Sequence, residues 1–281
     1  MLHLAELFRK IARRLLGRPN PTPERQILRS LLRETRRVSP KVCGSVELGK
    51  FRLRYIDISK LAGQWNEIFV QNVLKFTTPT LRPRILDCGG NMGLATLYFK
   101  SLYPYAHITT FEADPAICNI CRDNLVDNGY HDVEVIHAAV WVEKGEISFC
   151  CEGTDSGTLS QLVYDGVSGH RQTVPAIRLR EYLQNEKVYL LKLDIEGAEF
   201  DVLADCVSVL GNVSKIIVEL HETDVDNRKT SAALQTLADA GFHFTMEALI
   251  PMSWRGTSMS ESEAFPGKRK AWVVMVYGWR T

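Results

Sequence analysis

Short apolar runs alternate with longer amphipathic stretches along most of this chain, and the alternation becomes regular from residue 84. The runs RILDC (84–88), ITTFE (108–112), VEVIHAAV (133–140), VYLLKLD (188–194) and KIIVELHE (215–222) are rich in β-branched and apolar residues. Between and after them lie segments with apolar positions at helical spacing: one through about Leu102, one opened by Pro115 and running to about Asn128, and one over 228–241. Strands alternating with helices predict a parallel sheet covered on both faces. Between the third and fourth strands, EISFCC (146–151) and TVPAIRL (173–179) predict an extra hairpin around the polar stretch GTDSGTLSQ (153–161). Phe242 to Glu247 and AWVVMVYGW (271–279) read as a closing antiparallel pair, and the Ser-, Gly- and Arg-rich loop between them, with Trp254, is placed to cover a ligand.

Upstream of residue 84 the pattern changes. WNEIFVQNVLKF (65–76) is an amphipathic helix leading into the first core strand, and Pro40 to Ile58 alternates like a hairpin, with FRLRYIDI (51–58) its clearest strand. A basic helix is expected over 24–37, behind a linker made of Gly17, Pro19, Pro21 and Pro23. In MLHLAELFRKIARRLL (1–16), Leu4, Leu7, Phe8, Ile11 and Leu15 fall on one helical stripe, with Arg9, Lys10, Arg13 and Arg14 mostly off it. The division expected is a basic helical arm at 1–40, a hairpin and lid helix at 41–83, and an α/β domain at 84–281.

Charge sharpens the reading of the arm. The net charge of +1 hides ten Lys or Arg against three acids in residues 1–37, which leaves 24 against 30 for the rest. A basic amphipathic helix suits peripheral contact with an anionic membrane surface, docking on its own domain, or dimerisation. Its charges interrupt the apolar stripe, unlike a secretory signal, and no apolar run approaches the ~18 residues of a membrane span. Seven cysteines, two of them adjacent, make no disulfide framework, so a cytoplasmic location is expected. Cys118 and Cys121 form a C-x-x-C with no second pair, so no metal site is assigned there.

The candidate chemistry starts at ILDCGGNMG (85–93), where Asp87 ends a strand and Gly89, Gly90 and Gly93 follow. Residues without a Cβ permit positive φ and close approach of backbone to a ligand. Glu112 ends the next strand 19 positions beyond Gly93, where an acid accepts hydrogen bonds from a ribose diol. The nicotinamide fingerprint G-x-G-x-x-G is absent, because Gly89 is followed by Asn91 and then Leu94. The pattern is acid-x-Gly-x-Asn-x-Gly, and a carboxylate at its head would repel a pyrophosphate but attract an amine or sulfonium. S-adenosylmethionine (SAM) carries both and no phosphate.

These residues resemble the FkbM family of SAM-dependent methyltransferases over about Trp65 to His221. The resemblance lies in the turn Asp87 to Gly93, with Gly90 where the family has Ala; in Phe111, Glu112 and Pro115; and in a Lys-x-Asp-x-Glu-Gly-x-Glu element at Lys192, Asp194, Glu196, Gly197 and Glu199. It implies a Rossmann-like class I methyltransferase fold, a mostly parallel seven-stranded sheet with an antiparallel last strand. It also implies SAM as cofactor and O-methylation of a hydroxyl on a sugar, glycolipid or natural product. Glu67 would be a lid contact to that cofactor, held mainly by Asp87, Gly89, Asn91, Gly93, Glu112 and Asp194, with Ala138 and Ala139 beside the adenine.

Three carboxylates within six residues, Asp194, Glu196 and Glu199, are costly to place together without positive partners, and Lys192 is a candidate internal counter-charge. His221 leaves the fifth strand at the same end and could act as general base, with Asp194 and Glu196 as base or orienter. A divalent ion on Asp194 with Glu219 or Glu222 is an alternative that no spacing supports. Asp155, Ser156 and Thr158 are expected to line the acceptor side. An N-methyltransferase, a nucleic-acid methyltransferase using the basic arm, or a nucleotide-dependent oxidoreductase are the competing classes. No nucleic-acid partner is expected, because the catalytic half is acidic overall and lacks an Asn-Pro-Pro-aromatic element.

Overall fold

The computed structural model describes residues 21–39, 41–151, 157–159, 170–223, 228–249 and 271–280. The expected helix over 1–16, together with Asp155, Ser156 and Trp254, lies outside them, as do the side chains of Thr158 and Glu222. Helix α1 (Pro23–Glu34) starts at Thr22, whose side chain accepts from the Arg25 N–H, with Pro at the first turn. Strands β1 (Gly44–Leu48) and β2 (Phe51–Tyr55) form the expected hairpin. Among the described residues no helix is long and apolar enough to cross a membrane.

The lid segment departs from the single helix expected over 65–76. Helix α2 (Ile58–Trp65) begins earlier, because Asp57 caps it by accepting from the Ser59 N–H at 2.7 Å. It then widens into a π-helix over Asn66–Gln71 and stops at Asn72, which takes a left-handed conformation at φ 59°. Tyr98 fixes that stop, donating to the Asn72 side chain at 2.9 Å. Trp65 donates to the Glu24 carbonyl at 3.0 Å and stacks on Phe69, which ties α1 to the lid.

The core contains β3 (Arg84–Cys88), α3 (Leu94–Leu102), β4 (His107–Glu112), α4 (Pro115–Asp127) and β5 (Glu134–His137). After an insertion come α5 (Leu179–Gln184), β10 (Val188–Leu193), α6 (Glu199–Cys206), β11 (Val213–Thr223), α7 (Arg228–Asp239), β12 (His243–Leu249) and β13 (Ala271–Trp279). The seven-stranded sheet has the order β12-β13-β11-β10-β3-β4-β5. From β11 to β5 neighbouring strands are parallel, and β13 runs antiparallel to β11 and β12. Successive residues feed opposite cores, as expected of strands buried on both faces: Ile85 and Leu190 join the cluster under the lid, Leu86 and Leu191 the cluster under α6 and α7. The chain winds outward from β3 to β5 and returns on the other side as β10, which puts the reversal of strand order between β3 and β10.

The third strand is not the continuous run 133–140. It breaks at Ala138: β5 stays in the main sheet, and β6 (Ala139–Trp141) joins β7 (Gly145–Cys151), β8 (Gly157–Leu159) and β9 (His170–Arg178) in a second sheet ordered β6-β9-β7-β8. The expected hairpin is its β7–β9 pair.

The glycine turn is built for the protein's own backbone first. Gly89 (φ 85°) passes so close to β10 that a Cβ would stand 1.8 Å from the Asp194 carbonyl oxygen, and one on Gly90 would stand 2.3 Å from the Thr110 hydroxyl. Thr110 is buried, and its hydroxyl donates to the Asp87 carbonyl at 3.2 Å, so it cannot simply turn away. Gly90→Ala is therefore expected to destabilise the chain by about 1–3 kcal/mol. Combining it with Thr110→Ala should recover much of that loss, a coupling visible as non-additive urea midpoints.

Candidate active site

A cleft opens above the ends of β3, β4 and β10, at the point where the strand order reverses. One arm runs towards β5 and β6 between Glu112, Ile117, Ala138, Val140 and Phe149. The other runs under the lid between Ile68, Val73, Leu74, Ala95 and Met275. They meet at Gln64, Glu67, Gly89, Asn91, Asp194 and Glu219, which line both. Of the residues expected to hold a cofactor, Glu67, Gly89, Asn91, Glu112, Ala138 and Asp194 thus share one cleft, with Ala139 beside them.

Glu112 is positioned by backbone. Its Oε2 accepts from the Asn91 N–H at 2.8 Å and its Oε1 from the Asp114 N–H at 2.9 Å, while Gly89 and Gly90 both donate to the Phe111 carbonyl. Burial pushes its carboxyl up to about 7 despite those two donors. Asn91 takes a left-handed conformation (φ 47°) and caps its neighbour, its side-chain oxygen accepting from the Met92 N–H at 2.7 Å.

Asp87 and Gly93 lie beneath the turn rather than on the cleft wall. The Asp87 carboxylate is fully buried, accepts from the Thr96 hydroxyl at 2.6 Å and pairs with the Lys192 ammonium at 3.2 Å. Its charge is already matched inside the protein, so the direct attraction of a sulfonium or amine expected of it is replaced by an internal ion pair. Gly93 (φ 87°) is the residue from which α3 starts, packed against Cys121. Lys192 is the counter-charge expected for the acidic strand end: it also lies 3.4 Å from Asp194 and donates to the Gly89 carbonyl at 2.8 Å.

His221 does not fit the expected general base. Burial alone would lower its pKa, but Glu199, Glu196 and Asp194 reverse this and raise it well above the ordinary value. Its Nδ1 lies 3.0 Å from Glu199 Oε1, and its Nε2 lies 3.6 Å from Glu196, 3.6 Å from Glu219 and 4.0 Å from Asp194. Four carboxylates around one ring favour its protonated form, which works against the expected role as base.

Two residues organise this end: Glu199, given only a place in the acidic element, and Glu219, named only as a ligand in the metal alternative. Glu199 is fully buried and accepts from the Ile195 N–H at 2.8 Å and the Gly197 N–H at 3.0 Å as well as from His221. It holds the loop in which Glu196 (φ 56°) and Gly197 (φ 103°) turn left-handed. Its place in the Lys-x-Asp-x-Glu-Gly-x-Glu element was a signal, but nothing in the spacing said that it would point at the fifth strand. Glu219 lines both arms of the cleft, and burial followed by the Asp194 charge pushes its carboxyl up to about 8. Asp194, Glu219 and His221 each offer one ligand atom, and these atoms lie within 4.8 Å of one another. The site is therefore a cleft with Glu112 and Asp114 at one end, apolar side chains along both arms and a dense acidic patch at the other end.

A family model described as the methyltransferase FkbM domain matches residues 87–244. The chain is 26% identical to methyltransferase sdnD of Sordaria araneosa, with 70% of this chain and 88% of that relative covered. It is also 26% identical to methyltransferase 1 of Beauveria bassiana, with 58% and 73% covered. Among solved structures it is similar to a SAM-dependent methyltransferase from Agrobacterium tumefaciens at a TM-score of 0.50 and 12% identity, with 87% of this chain and 72% of that one covered. The seven-stranded order with its one reversed strand is the fold of that neighbour's class. Matched from the acid heading the glycine turn to the start of β12, the chain belongs to the FkbM family of methyltransferases.

Proposed function

We propose that this methyltransferase binds S-adenosylmethionine in the cleft and transfers its methyl group to a hydroxyl of a sugar, glycolipid or natural product. The observation that carries the reading is the continuity of the cleft from Glu112, past Gly89 and Asn91, to Asp194 and Glu196. Along that path Glu112 would accept from the ribose diol, and Ile117, Ala138 and Phe149 would enclose the adenine. The methionine end would lie by Glu67 and Gln64 beneath the lid. The sulfonium would then face the acidic patch, where its positive charge is favoured.

Methyl transfer is an in-line displacement, so the chain's main task is to align two bound molecules and exclude water. The π-helix brings Glu67 and Ile68 over the cleft, which makes the lid part of that alignment. With four carboxylates favouring the protonated form of His221, Asp194 and Glu196 would be the groups to take the acceptor's proton. A cytoplasmic setting belongs to the same reading, with the exposed Arg25, Arg29 and Arg33 of α1 turned towards an anionic surface or a second copy.

Calorimetric titration with S-adenosylhomocysteine should show micromolar binding, and NAD should show none. Glu112→Ala is expected to weaken the first by about tenfold or more, the loss of a charged hydrogen-bond acceptor. Binding of NAD alone would overturn the cofactor reading.

The affinity should also depend on pH. In the free chain Glu112 keeps its proton up to about 7, so its contribution to folding stability is fully present below its ordinary value of 4.5 and is lost as the pH rises through 7. A diol donates to the ionised form. Affinity should therefore fall by up to about tenfold for each pH unit below 7 and level off above it. Glu112→Gln should flatten that slope in the same titration.

For the acceptor, SAM labelled at its methyl group should be offered with glycosides, amines and tRNA. Label on the glycosides is the expected result; label confined to amines or RNA would replace the hydroxyl reading.

A further inference from the structure

We propose that Asp194, Glu219 and His221 form a divalent metal site of the kind Mn²⁺ occupies, and that it activates the acceptor hydroxyl; this second part rests on the methyl-transfer reading above. The ligand atoms come from two neighbouring parallel strands, β10 and β11, at the end of the sheet where the cleft opens. Nε2 of His221 is 3.6 Å from Glu219 Oε1 and 4.0 Å from Asp194 Oδ1. Donors bound to one ion at about 2.1–2.3 Å stand about 3.0–3.5 Å apart. The three ligand atoms lie within 4.8 Å of one another, so side-chain movements of up to about 1.5 Å would close the site.

The observation that separates this group from an ordinary acidic patch is Glu199, which lies outside the ligand set. Its fully buried carboxylate is fixed by two backbone N–H groups and takes Nδ1 of His221 at 3.0 Å. That leaves Nε2 as the one ring nitrogen facing the cleft-side carboxylates. The near nitrogen faces three more carboxylates, those of Glu196, Glu219 and Asp194, and a carboxylate holding the far nitrogen is how proteins orient a histidine for a metal. Lys192 does not occupy the place, because it contacts Asp194 through Oδ2, and Oδ1 is the oxygen nearest His221.

Charge points the same way. Lys192 is matched by Asp87, which leaves Asp194, Glu196, Glu199 and Glu219 grouped around one imidazole among the described residues. A dication would offset two of those four negative charges. One imidazole with two carboxylates suits Mn²⁺ or another first-row ion better than Mg²⁺ or Ca²⁺, which prefer oxygen alone.

In the reaction, the ion would lower the pKa of a bound hydroxyl. The O–H proton would pass to the Glu196 carboxylate, the oxygen would bond to the methyl carbon, and the carbon–sulfur bond would break with its electron pair staying on sulfur. The products are the methyl ether and S-adenosylhomocysteine, with the ion unchanged.

The test is titration of the full chain with Mn²⁺, by calorimetry and by loss of the free-ion electron spin resonance signal. One ion per chain is expected, together with a rise in melting temperature. His221→Asn and Glu219→Gln should each weaken binding more than tenfold. Glu199→Gln should weaken it about tenfold, the size of effect seen when a partner behind a ligand is lost. Exposed Glu47→Gln should change nothing. Each variant is checked by circular dichroism, and by S-adenosylhomocysteine binding for His221→Asn, whose side chain is not on the cleft wall. No Mn²⁺ binding, or binding that survives both His221→Asn and Glu219→Gln, overturns the site. If Mn²⁺ binds and S-adenosylhomocysteine does not, the metal site stands and the methyl-transfer reading falls; the opposite pair of results removes the metal alone.

Discussion

A single buried ammonium holds the site together. Lys192 sits where β10 runs beside β3, and its Nζ meets Asp87 at 3.2 Å, Asp194 at 3.4 Å and the Gly89 carbonyl at 2.8 Å. Burial opposes its charge, but Asp87 and Asp194 more than offset that and hold the proton firmly. A buried ion pair of this kind is poor evidence for added stability, since its desolvation cost rivals its attraction. What it supplies is geometry: the head of the glycine turn and the end of the neighbouring strand are drawn to one cation, and the cleft is the space above them.

The same closeness explains the glycines. Gly89 is the position at which the turn crosses β10, with the Asp194 carbonyl where a Cβ would be, and the Asp194 N–H donates to the Cys88 carbonyl at 3.1 Å. Strand pairing, ion pair and turn therefore require one another, so a side chain at Gly89 would separate the strands that place Asp194 in the cleft. Gly90 does the same towards β4 through Thr110, which sits two residues before Glu112. The Asp194 end and the Glu112 end of the cleft are thus set by one turn pressed between two strands.

Much of this was legible in the chain. The β-branched runs and the spaced acid located the strands and Glu112, because period and spacing report what buried parallel strands require. The π-helix was not legible: NEIFVQ has the apolar spacing of an ordinary helix, and its widening follows from Asn72 being pinned by Tyr98, 26 residues away. The break at Ala138 was hidden for a similar reason, since VEVIHAAV reads as one strand until its second half finds β9 as a partner. Asp87 was placed in the right turn but assigned to the ligand, because nothing local shows that Lys192, 105 residues later, reaches it first. His221 shows the limit most clearly. A histidine at a strand end suggests a base, and only the four carboxylates assembled around it show that its surroundings favour the proton.

Both ends of the cleft hold carboxyls in unfavourable surroundings. Glu112 is pushed up to about 7 by burial, and Glu219 to about 8 by burial and Asp194. A chain selected for stability alone would replace such groups with apolar ones, and the usual cause of their retention is a task the folded protein performs. Groups fixed by backbone donors, as Glu112 is by Asn91 and Asp114, need no rearrangement when a ligand arrives. The ligand then meets acceptors already aimed and short of donors, so its hydroxyls or positive charge gain more there than they would in water. The strain sits where the cofactor and acceptor are proposed to bind, and the rest of the sheet, with its two apolar faces, is what can sustain it.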